Sequence, residues 1–311
     1  AALTQADQLV RACDIVHIHG PWSSSNLQVA RVARRCNKPY VVSAHGMLDD
    51  WSMAQGAAKK RLFLRLFGSR MLDNALAIHC AAQAEATQVA QHTRAPTRVV
   101  ALPMDLAPFR DLPGPQLARE HFQLRPGAPT LLFLSRLHPK KGAEHAIDAL
   151  AALRAVGTDC DLILAGPPQD AAYTRMLEAR VQSLKLQSHA RFVGMVDGAL
   201  KLSLMQAATA LVLPTSQENF GFVLLESLAC GTPVFTTKGV DLWSELQASG
   251  AGTIIEPTGD AIAQALRIQL PALLDTDRSA NIAAQAREWV FGLLEPARLV
   301  REYEQMYRGI R

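Results

Sequence analysis

Two glutamates in the segment 214–237, PTSQENFGFVLLESLACGTPVFTT, could bind a ligand. Glu226 falls inside a predicted apolar helix from about 220 to 229, where a carboxylate costs free energy unless another group bonds it. Glu218 precedes the turn at Gly221 that starts this helix, where free N–H groups and the helix dipole favour a phosphate. The pattern predicts a ligand that offers hydroxyls to the carboxylates and phosphate to the helix N-terminus.

Paired carboxylates are also typical of glycosidases. Eight residues of helix span about 12 Å, which exceeds the roughly 5 to 9.5 Å between the two carboxylates of a glycosidase. Glu218 lies in a loop and could fold back, so the spacing weakens a hydrolase interpretation without excluding it. A separation of this order suits carboxylates at opposite ends of one ligand with a diphosphate between them. For Glu226 the alternative is a side chain that points to solvent or pairs with a backbone group.

Cations occupy a second loop, SRLHPKKG at 135–142, directly after the apolar run TLLFL. Arg136 and Lys141 lie after the carboxyl end of this predicted strand, where α/β sheets bind ligands. The alternative is that they are surface charges on a turn. Together the two loops supply the cations, helix N-terminus and carboxylates that bind a nucleoside diphosphate. The sequence lacks both G-x-G-x-x-G after a strand and G-x-x-x-x-G-K-[ST], which disfavours a nicotinamide enzyme and a P-loop NTPase.

Apolar strands alternate with helical segments along the whole chain, a pattern that predicts an α/β fold with parallel sheets. Prolines and a glycine interrupt any continuous element at 103–115, which predicts a linker between two sheets. Four strand candidates precede the linker, at 14–19, 39–44, 75–79 and 98–102, and six follow it, at 130–135, 161–165, 190–193, 210–214, 233–237 and 252–256.

The composition fits a folded chain of about two domains, with 311 residues, 49% hydrophobic and 19% charged. The longest apolar runs, such as 131–134 and 222–225, fall far short of the roughly 18 residues of a membrane helix. The five cysteines are scattered, which favours reduced thiols in a cytosolic protein over disulfides or a zinc site. His17 and His19 share one side of a strand, but no third ligand lies nearby, so packing is preferred over a metal site.

Positive charge is concentrated in the first part of the chain. Residues 1–110 carry 13 Lys and Arg against 7 Asp and Glu, whereas residues 111–311 carry 19 against 21. Five of the cations interleave with apolar residues in the basic stretch 59–70, which contains no acid: Lys59, Lys60, Arg61, Arg65 and Arg70. The stretch indicates either a solvated helix face over the core or a face that meets anionic lipid. Nucleic acid is disfavoured because no aromatics alternate with base-reading residues.

The motifs of the second half resemble those of one known family, the family 4 (group 1) retaining glycosyltransferases of the GT-B fold. The E-x7-E motif is present as Glu218 and Glu226, followed by SLACGTPVFTT, and R-x4-K-G as Arg136, Lys141 and Gly142. The resemblance extends to three further segments, LILAGP at 162–167, RFVGMV at 191–196 and IIEPTGD at 254–260. It implies two Rossmann-like domains that face each other across a cleft, and transfer of a sugar from a nucleoside diphosphate sugar.

The resemblance also implies a role for each residue of these motifs. In the family the first glutamate contacts donor sugar hydroxyls, the backbone amides after it and the Arg/Lys pair hold the diphosphate, and the second glutamate binds ribose hydroxyls. On this sequence these groups are, in that order, Glu218; the segment Asn219, Phe220 and Gly221; Arg136 and Lys141; and Glu226.

The first half is similar to the acceptor domain of the same family, through DIVHIHG, PYVVSAHGMLDDW and AKKRLFLRLF in the order of polysaccharide-assembling members. His45 matches the family's active-site histidine beside the donor sugar, although a lone histidine at a strand end is more often structural. The family's N-G-V-D appears here as Leu102-Pro103-Met104-Asp105 without the glycine, which weakens the expectation of a donor contact there. Family members begin with strands and a glycine-rich loop ahead of DIVHIHG, so we expect that this chain lacks N-terminal strands.

The sequence thus predicts a partial acceptor-side domain at 1–110, a nucleotide-sugar-binding domain at 111–290, and a C-terminal helix at 291–311 that packs back towards the first domain. The expected reaction transfers a hexose with retention to a glycan or lipid-linked acceptor in polysaccharide biosynthesis. His45 and Glu218 are the expected catalytic residues, and stabilisation of the leaving diphosphate supplies most of the catalysis. No metal or other cofactor is expected. The expected location is the cytoplasm, with the basic stretch 59–70 as a candidate contact with the inner face of the membrane.

Two alternatives to a transferase remain open at this point. One is a GT-B epimerase that converts a nucleotide sugar without an acceptor. The other is a non-catalytic remnant that binds a nucleotide sugar.

Overall fold

The computed structural model describes residues 2–250 and 252–309 and divides the chain into two compact units. The first unit runs to Pro103 and includes the residues from Leu294 onwards, and the second is Met104–Leu293. These boundaries differ by a few residues from those expected at 110 and 290. Residues 104–110 belong with the second unit, where Arg287 donates to the carbonyl of Phe109 (3.0 Å), and the last helix of that unit continues to Leu293.

The first unit contains one parallel sheet in the order β1-β2-β3-β4, formed by Val16–His19, Tyr40–Ser43, Ala77–Cys80 and Thr97–Val99. Its helices are α1 (Ala2–Ala12), α2 (Ser24–Arg35), α3 (Asp50–Ala54), α4 (Ala57–Phe63), α5 (Ser69–Asp73) and α6 (Gln83–Val89). A π-helical turn, Leu64–Gly68, joins α4 to α5. Every residue of β2 and β3 is buried, as expected of parallel strands covered on both faces.

The second unit contains a six-stranded parallel sheet in the order β10-β9-β8-β5-β6-β7. Its strands are β5 (Thr130–Leu134), β6 (Asp161–Ala165), β7 (Ala190–Gly194), β8 (Ala210–Leu213), β9 (Val234–Thr236) and β10 (Gly252–Ile254). Its helices are α7 (Gln116–His121), α8 (Ala143–Ala155), α9 (Ala171–Ser183), α10 (Gly198–Ala207), α11 (Phe222–Ala229), α12 (Trp243–Ser249), α13 (Gly259–Leu274) and α14 (Thr276–Leu293). The final helix, α15 (Pro296–Tyr307), belongs to the first unit.

All ten predicted strands are present, and most ends differ from the prediction by no more than two residues. The exception is β4, which ends three residues early because its partner β3 ends at Cys80, opposite Val99. Capping side chains fix several helix starts, including Ser23 before α2, Asp170 before α9 and Thr258 before α13. Within the described residues, no helix has the length and apolar character needed to cross a bilayer.

Candidate active site

The two motif loops of the second unit meet at the carboxyl edge of its sheet. The loop 135–142 follows β5 and the loop 214–221 follows β8, and these two strands are neighbours. From β5 the chain continues to β6 and β7 on one side, then returns to β8 on the other. A crevice opens at such a reversal because the loops on either side diverge, and open α/β sheets bind ligands there.

Gly142 allows the two loops to pack closely. Its φ is +70°, and a Cβ at this position would lie only 2.3 Å from the carbonyl oxygen of Pro214. The second loop reaches back to the first, because the Thr215 hydroxyl (3.0 Å) and the Ser216 N–H (2.9 Å) both donate to the Lys140 carbonyl. The glycine of the R-x4-K-G motif therefore serves the packing of one loop on the other.

Lys141 and Glu218 form an ion pair between the two loops. Lys141 is 4% exposed, so its ammonium group has left most of its water and depends on this carboxylate. The Glu218 backbone is fixed independently, since its N–H donates to the Gly239 carbonyl (2.8 Å) and its carbonyl accepts from the Asp241 N–H (3.0 Å). The pair presents one cation and one partly exposed carboxylate at a defined place.

Helix α11 begins at Phe222, two residues after the predicted start at about 220. Gly221 is the cause, because its φ of +71° lies outside the helical region and it supplies no side-chain cap. Within the described part of the chain, the N–H groups of Gly221, Phe222 and Val223 donate to no other residue. Buried Phe220 anchors the turn. The N-terminus of α11 therefore presents free N–H groups of the kind that bind anions.

Glu226 pairs with a side chain that the sequence analysis missed. Its Oε1 lies 2.8 Å from Nζ of Lys201 on α10, and both side chains are about three quarters buried. The alternative of a carboxylate that faces solvent or a backbone group is therefore wrong. Residues 201 and 226 stand 25 positions apart on different helices, so no local spacing could have indicated the pair.

Arg136 and Asn219 differ in how they are held. Arg136 is exposed just beyond β5 and forms no hydrogen bond or ion pair with the described residues. Asn219 donates from Nδ2 to the carboxylate of Asp241 (3.1 Å), which is buried. The guanidinium is therefore available to a ligand, whereas the Asn219 side chain serves the loop.

In the first unit, His45 lies in the turn after β2 with φ of +52°. Its Nε2 is 2.8 Å from Nδ1 of His19, and the two rings stack with centroids 5.1 Å apart. Burial, and then the neighbouring His19, lower the pKa of His45. The two imidazoles share one proton in this hydrogen bond, so His45 can be a neutral donor or acceptor but is a poor cation.

Glu85 on α6 holds the turn that carries His45, and the sequence analysis missed it. Its two carboxylate oxygens accept from the N–H groups of Gly46 and Ala81, each at 2.6 Å. The residue is completely buried. These two bonds tie the turn at Gly46 and the residue after β3 to α6.

A chain of hydrogen bonds runs beneath His45. The Val100 carbonyl can only accept, so neutral His79 donates to it from Nε2 (2.8 Å) and accepts from the Ser43 hydroxyl at Nδ1 (2.7 Å). Ser43 then accepts from Nε2 of His17 (2.7 Å), and Nδ1 of His17 accepts from the Tyr307 hydroxyl on α15 (2.8 Å). Burial lowers the pKa of both His17 and His79 to about 4.

The histidine chain holds His17 by both of its ring nitrogens. His17 stacks on His19 with ring centroids 4.5 Å apart, while both of its nitrogens are used. Across the described residues, no group of three or more His, Cys, Asp or Glu side chains could hold a metal ion. Asp105, in the segment without the family glycine, accepts from the Ala107 N–H (2.9 Å) at the start of a short 3-10 helix.

Both halves of the chain match models of known protein families. Residues 116–289 match the model described as "Glycosyl transferases group 1", and residues 1–105 match that of a "Glycosyl transferase 4-like domain". The chain belongs to the group 1 glycosyl transferases. The family expected from the E-x7-E and R-x4-K-G motifs is thereby confirmed.

Curated relatives of this group 1 glycosyl transferase act in inositol glycoside and mannoside synthesis according to their names. D-inositol 3-phosphate glycosyltransferase from Jonesia denitrificans is 29% identical over 289 residues, which are 88% of this chain and 66% of the relative. Phosphatidyl-myo-inositol mannosyltransferase from Mycobacterium leprae is 34% identical over 161 residues, which are 50% of this chain and 41% of the relative. The chain thus spans about two thirds of the first relative and less of the second.

Solved structures confirm the GT-B fold of this group 1 glycosyl transferase. The Anabaena protein HepE in complex with UDP superposes with a TM-score of 0.82 at 21% identity, covering 99% of this chain and 82% of the other. The lipopolysaccharide-biosynthesis glycosyltransferase WaaG gives a TM-score of 0.62 at 17% identity, covering 94% and 93%. At these identities the likeness concerns the fold.

Proposed function

We propose that this chain is a retaining glycosyltransferase that moves a hexose from a nucleoside diphosphate sugar to a glycan or lipid-linked acceptor in polysaccharide or glycolipid biosynthesis. The observation that carries the proposal is the Lys141–Glu218 pair beside the open N-terminus of α11, at the reversal point of the sheet. A cation, an anion-binding helix end and a carboxylate are the groups that a sugar diphosphate requires. The names of the relatives, and the UDP in the HepE complex, support a donor of this class.

Each donor-binding residue has a chemical role in this proposal. Lys141, Arg136 and the N–H groups of Gly221 and Phe222 neutralise the diphosphate, and their hold strengthens as negative charge builds on the leaving oxygen. The carboxylate of Glu218 accepts hydrogen bonds from sugar hydroxyls. Glu226, oriented by Lys201, accepts from the ribose.

The proposed reaction needs no enzymic nucleophile. The acceptor hydroxyl attacks the anomeric carbon on the face from which the diphosphate departs, the bond to the diphosphate breaks, and the hydroxyl proton passes to the leaving phosphate. Because the protein's own cations and helix N-terminus offset the leaving charge, we propose that no divalent cation takes part. His45 is assigned as the second catalytic residue, since it follows β2 in the segment similar to the family's active-site histidine, and its neutral ring can hydrogen-bond a hydroxyl.

A panel of nucleoside diphosphate sugars, screened by thermal shift and then by nucleotide release with and without glycan or lipid-linked acceptors, tests the proposal. We expect one donor to raise the Tm and to release its nucleotide mainly when an acceptor is present. The anomeric configuration of the product, read by NMR, should equal that of the donor. Conversion of the sugar nucleotide without acceptor would favour the epimerase, and tight donor binding without any turnover would favour the binding remnant.

A further inference from the structure

A pocket of about 440 Å³ lies on the first unit, between α2 and the segment formed by the π-helical turn and α5. Four arginines line this arginine pocket: Arg31, Arg34 and Arg35 from α2, and Arg70 from α5. Within the described chain no carboxylate lines it, and the acid paired with a lining arginine is Asp7, 3.7 Å from Arg35. The pocket therefore carries a strong positive charge that its own residues do not neutralise.

The sequence of α2 explains why three of the arginines come together. Residues 31, 34 and 35 are three and four positions apart, so they project from one face of the helix. They also occupy its last turns, where the helix dipole favours cations. Like charges at this spacing nevertheless repel one another, and Arg70 adds a fourth from a separate helix. An anion in the pocket would relieve this repulsion, and the guanidinium group suits phosphate because it donates two parallel hydrogen bonds.

Large apolar side chains adjoin the arginine pocket and are open to solvent. Leu66 (57% exposed) and Phe67 (46%) help to line it, and Leu62 (56%) stands one helical turn before Leu66. A hydrophilic polyanion would leave these side chains in water. An anionic amphiphile satisfies both the arginines and the apolar side chains.

We propose that the arginine pocket binds the phosphate of an anionic phospholipid at a bilayer surface, with Leu66 and Phe67 immersed at the boundary between headgroups and acyl chains. This proposal does not depend on the donor chemistry, since all of its residues lie in the first unit and none belongs to the two motif loops.

The proposal assigns different roles to the cations of the basic stretch 59–70. Lys60 is engaged within the unit, donating to the Ser52 carbonyl (2.5 Å) and lying 5.3 Å above the ring of Trp22. Arg61 and Arg65 line a separate hollow that also contains Asp50. Of the five cations in the stretch, Arg70 is the one that lines the arginine pocket.

Vesicle co-sedimentation with two charge-matched double variants of the whole chain tests the proposal. Arg31→Gln with Arg70→Gln removes two charges from the arginine pocket, and Arg61→Gln with Arg65→Gln removes two from the other hollow on the same unit. In low salt, vesicles of phosphatidylglycerol and phosphatidylcholine should bind the unchanged protein, whereas pure phosphatidylcholine should not. The pocket variant should bind about tenfold to thirtyfold more weakly, as expected for two cations removed from an anionic surface, and the control variant at most about threefold.

Two further measurements distinguish a lipid site from binding by charge alone and from a site for a soluble anion. Leu66→Ser with Phe67→Ser should also reduce vesicle binding about tenfold while leaving the charge unchanged. Inorganic phosphate should displace the protein from vesicles no better than sodium chloride of equal ionic strength. The proposal is overturned by absence of vesicle binding, by equal losses in the two arginine variants, or by preferential displacement with phosphate, which would assign the pocket to a soluble anion. Nucleoside diphosphate affinity, measured on the same variants, should stay unchanged, so failure of the lipid site is distinguishable from failure of the proposed transferase.

Discussion

In the second unit, charged side chains meet in two ion pairs. Lys141 meets Glu218 between the loops after β5 and β8, and Lys201 on α10 meets Glu226 on α11. In the first unit, the ends of the strands carry imidazoles that bond to one another and to hydroxyls, with the pKa of His17 and His79 lowered to about 4. Both pairs remain open to a ligand on the carboxylate side, because the side chains of Glu218 and Glu226 are 28% and 21% exposed. A chain of neutral imidazoles can hydrogen-bond a ligand, but its lowered pKa values disfavour protonation.

Substitutions at the two motif loops of the second unit should have the largest effects on catalysis. Lys141→Ala should weaken the binding of the nucleoside diphosphate sugar and lower kcat/KM by roughly tenfold to a hundredfold, since a charge-assisted bond contributes about 1.5 to 3 kcal/mol. Arg136→Ala should cost at least about tenfold for the same reason. Calorimetric titration and initial rates measure both effects. Arg175→Ala, an exposed cation on α9, is the matched control and should change neither. Unaltered donor affinity in both motif variants would remove these residues from the site.

The two glutamates should be separable by their ligands. Glu226→Gln should weaken the free nucleoside diphosphate and the intact donor alike, by about tenfold, because the ribose is common to both. Glu218→Gln should weaken only the ligand that carries a sugar. Competition titrations with the two ligands report the difference. Equal effects of Glu218→Gln on both ligands would show that its carboxylate acts on the diphosphate end through Lys141 instead.

Substitution of Gly142 tests the packing between the loops 135–142 and 214–221. Gly142→Ala must accept both a positive φ and a Cβ 2.3 Å from the Pro214 oxygen, whereas Gly157→Ala meets the same φ problem with no atom within 4 Å. The control should therefore lose about 1 kcal/mol of unfolding free energy from backbone strain, and Gly142→Ala about 1 to 2 kcal/mol more from the clash. Urea unfolding of the two variants measures this. Similar losses would mean that the loops can separate at little cost.

The contrast between the regions also explains what the sequence could reveal. The strands and the crevice loops after β5 and β8 follow from short segments, because a run of apolar residues and the turn after it are local features. Lys201 and Glu85 belong to pairs that only the tertiary fold creates, with Lys201 joining Glu226 across two helices and Glu85 reaching back to the Gly46 N–H. The partner of His17 on α15 is 290 positions away.

The histidine chain of the first unit should make the free energy of unfolding sensitive to mild acid. In the folded chain His17 and His79 stay neutral down to about pH 4, whereas in the unfolded chain each takes up a proton near its ordinary pKa of 6.5. Between these two pH values the unfolded state binds more protons than the folded state. The free energy of unfolding is therefore highest above pH 6.5 and falls as the pH is lowered towards 4. The slope should reach about 1.4 kcal/mol per pH unit for buried His79, and less for half-buried His17 because water screens it.

Urea unfolding at a series of pH values from 7.5 down to 4.5 measures this slope, and a variant of His79 isolates its origin. His79→Gln keeps a side chain that can hydrogen-bond but cannot take up a proton, so it should be less stable than the unchanged chain at neutral pH and show a shallower fall on acidification. Ser43, Tyr303 and the Val100 carbonyl hydrogen-bond to His79 and do not ionise in this range. The titratable group in ring contact with His79 is His17, with ring centroids 5.8 Å apart. His17, whose pKa is lowered as well, remains in the variant and accounts for the slope that persists. An unfolding free energy that is flat from pH 6.5 to 4.5 in the unchanged chain would mean that the histidine chain accepts protons without loss of structure. The contrast drawn between the two regions would then fail.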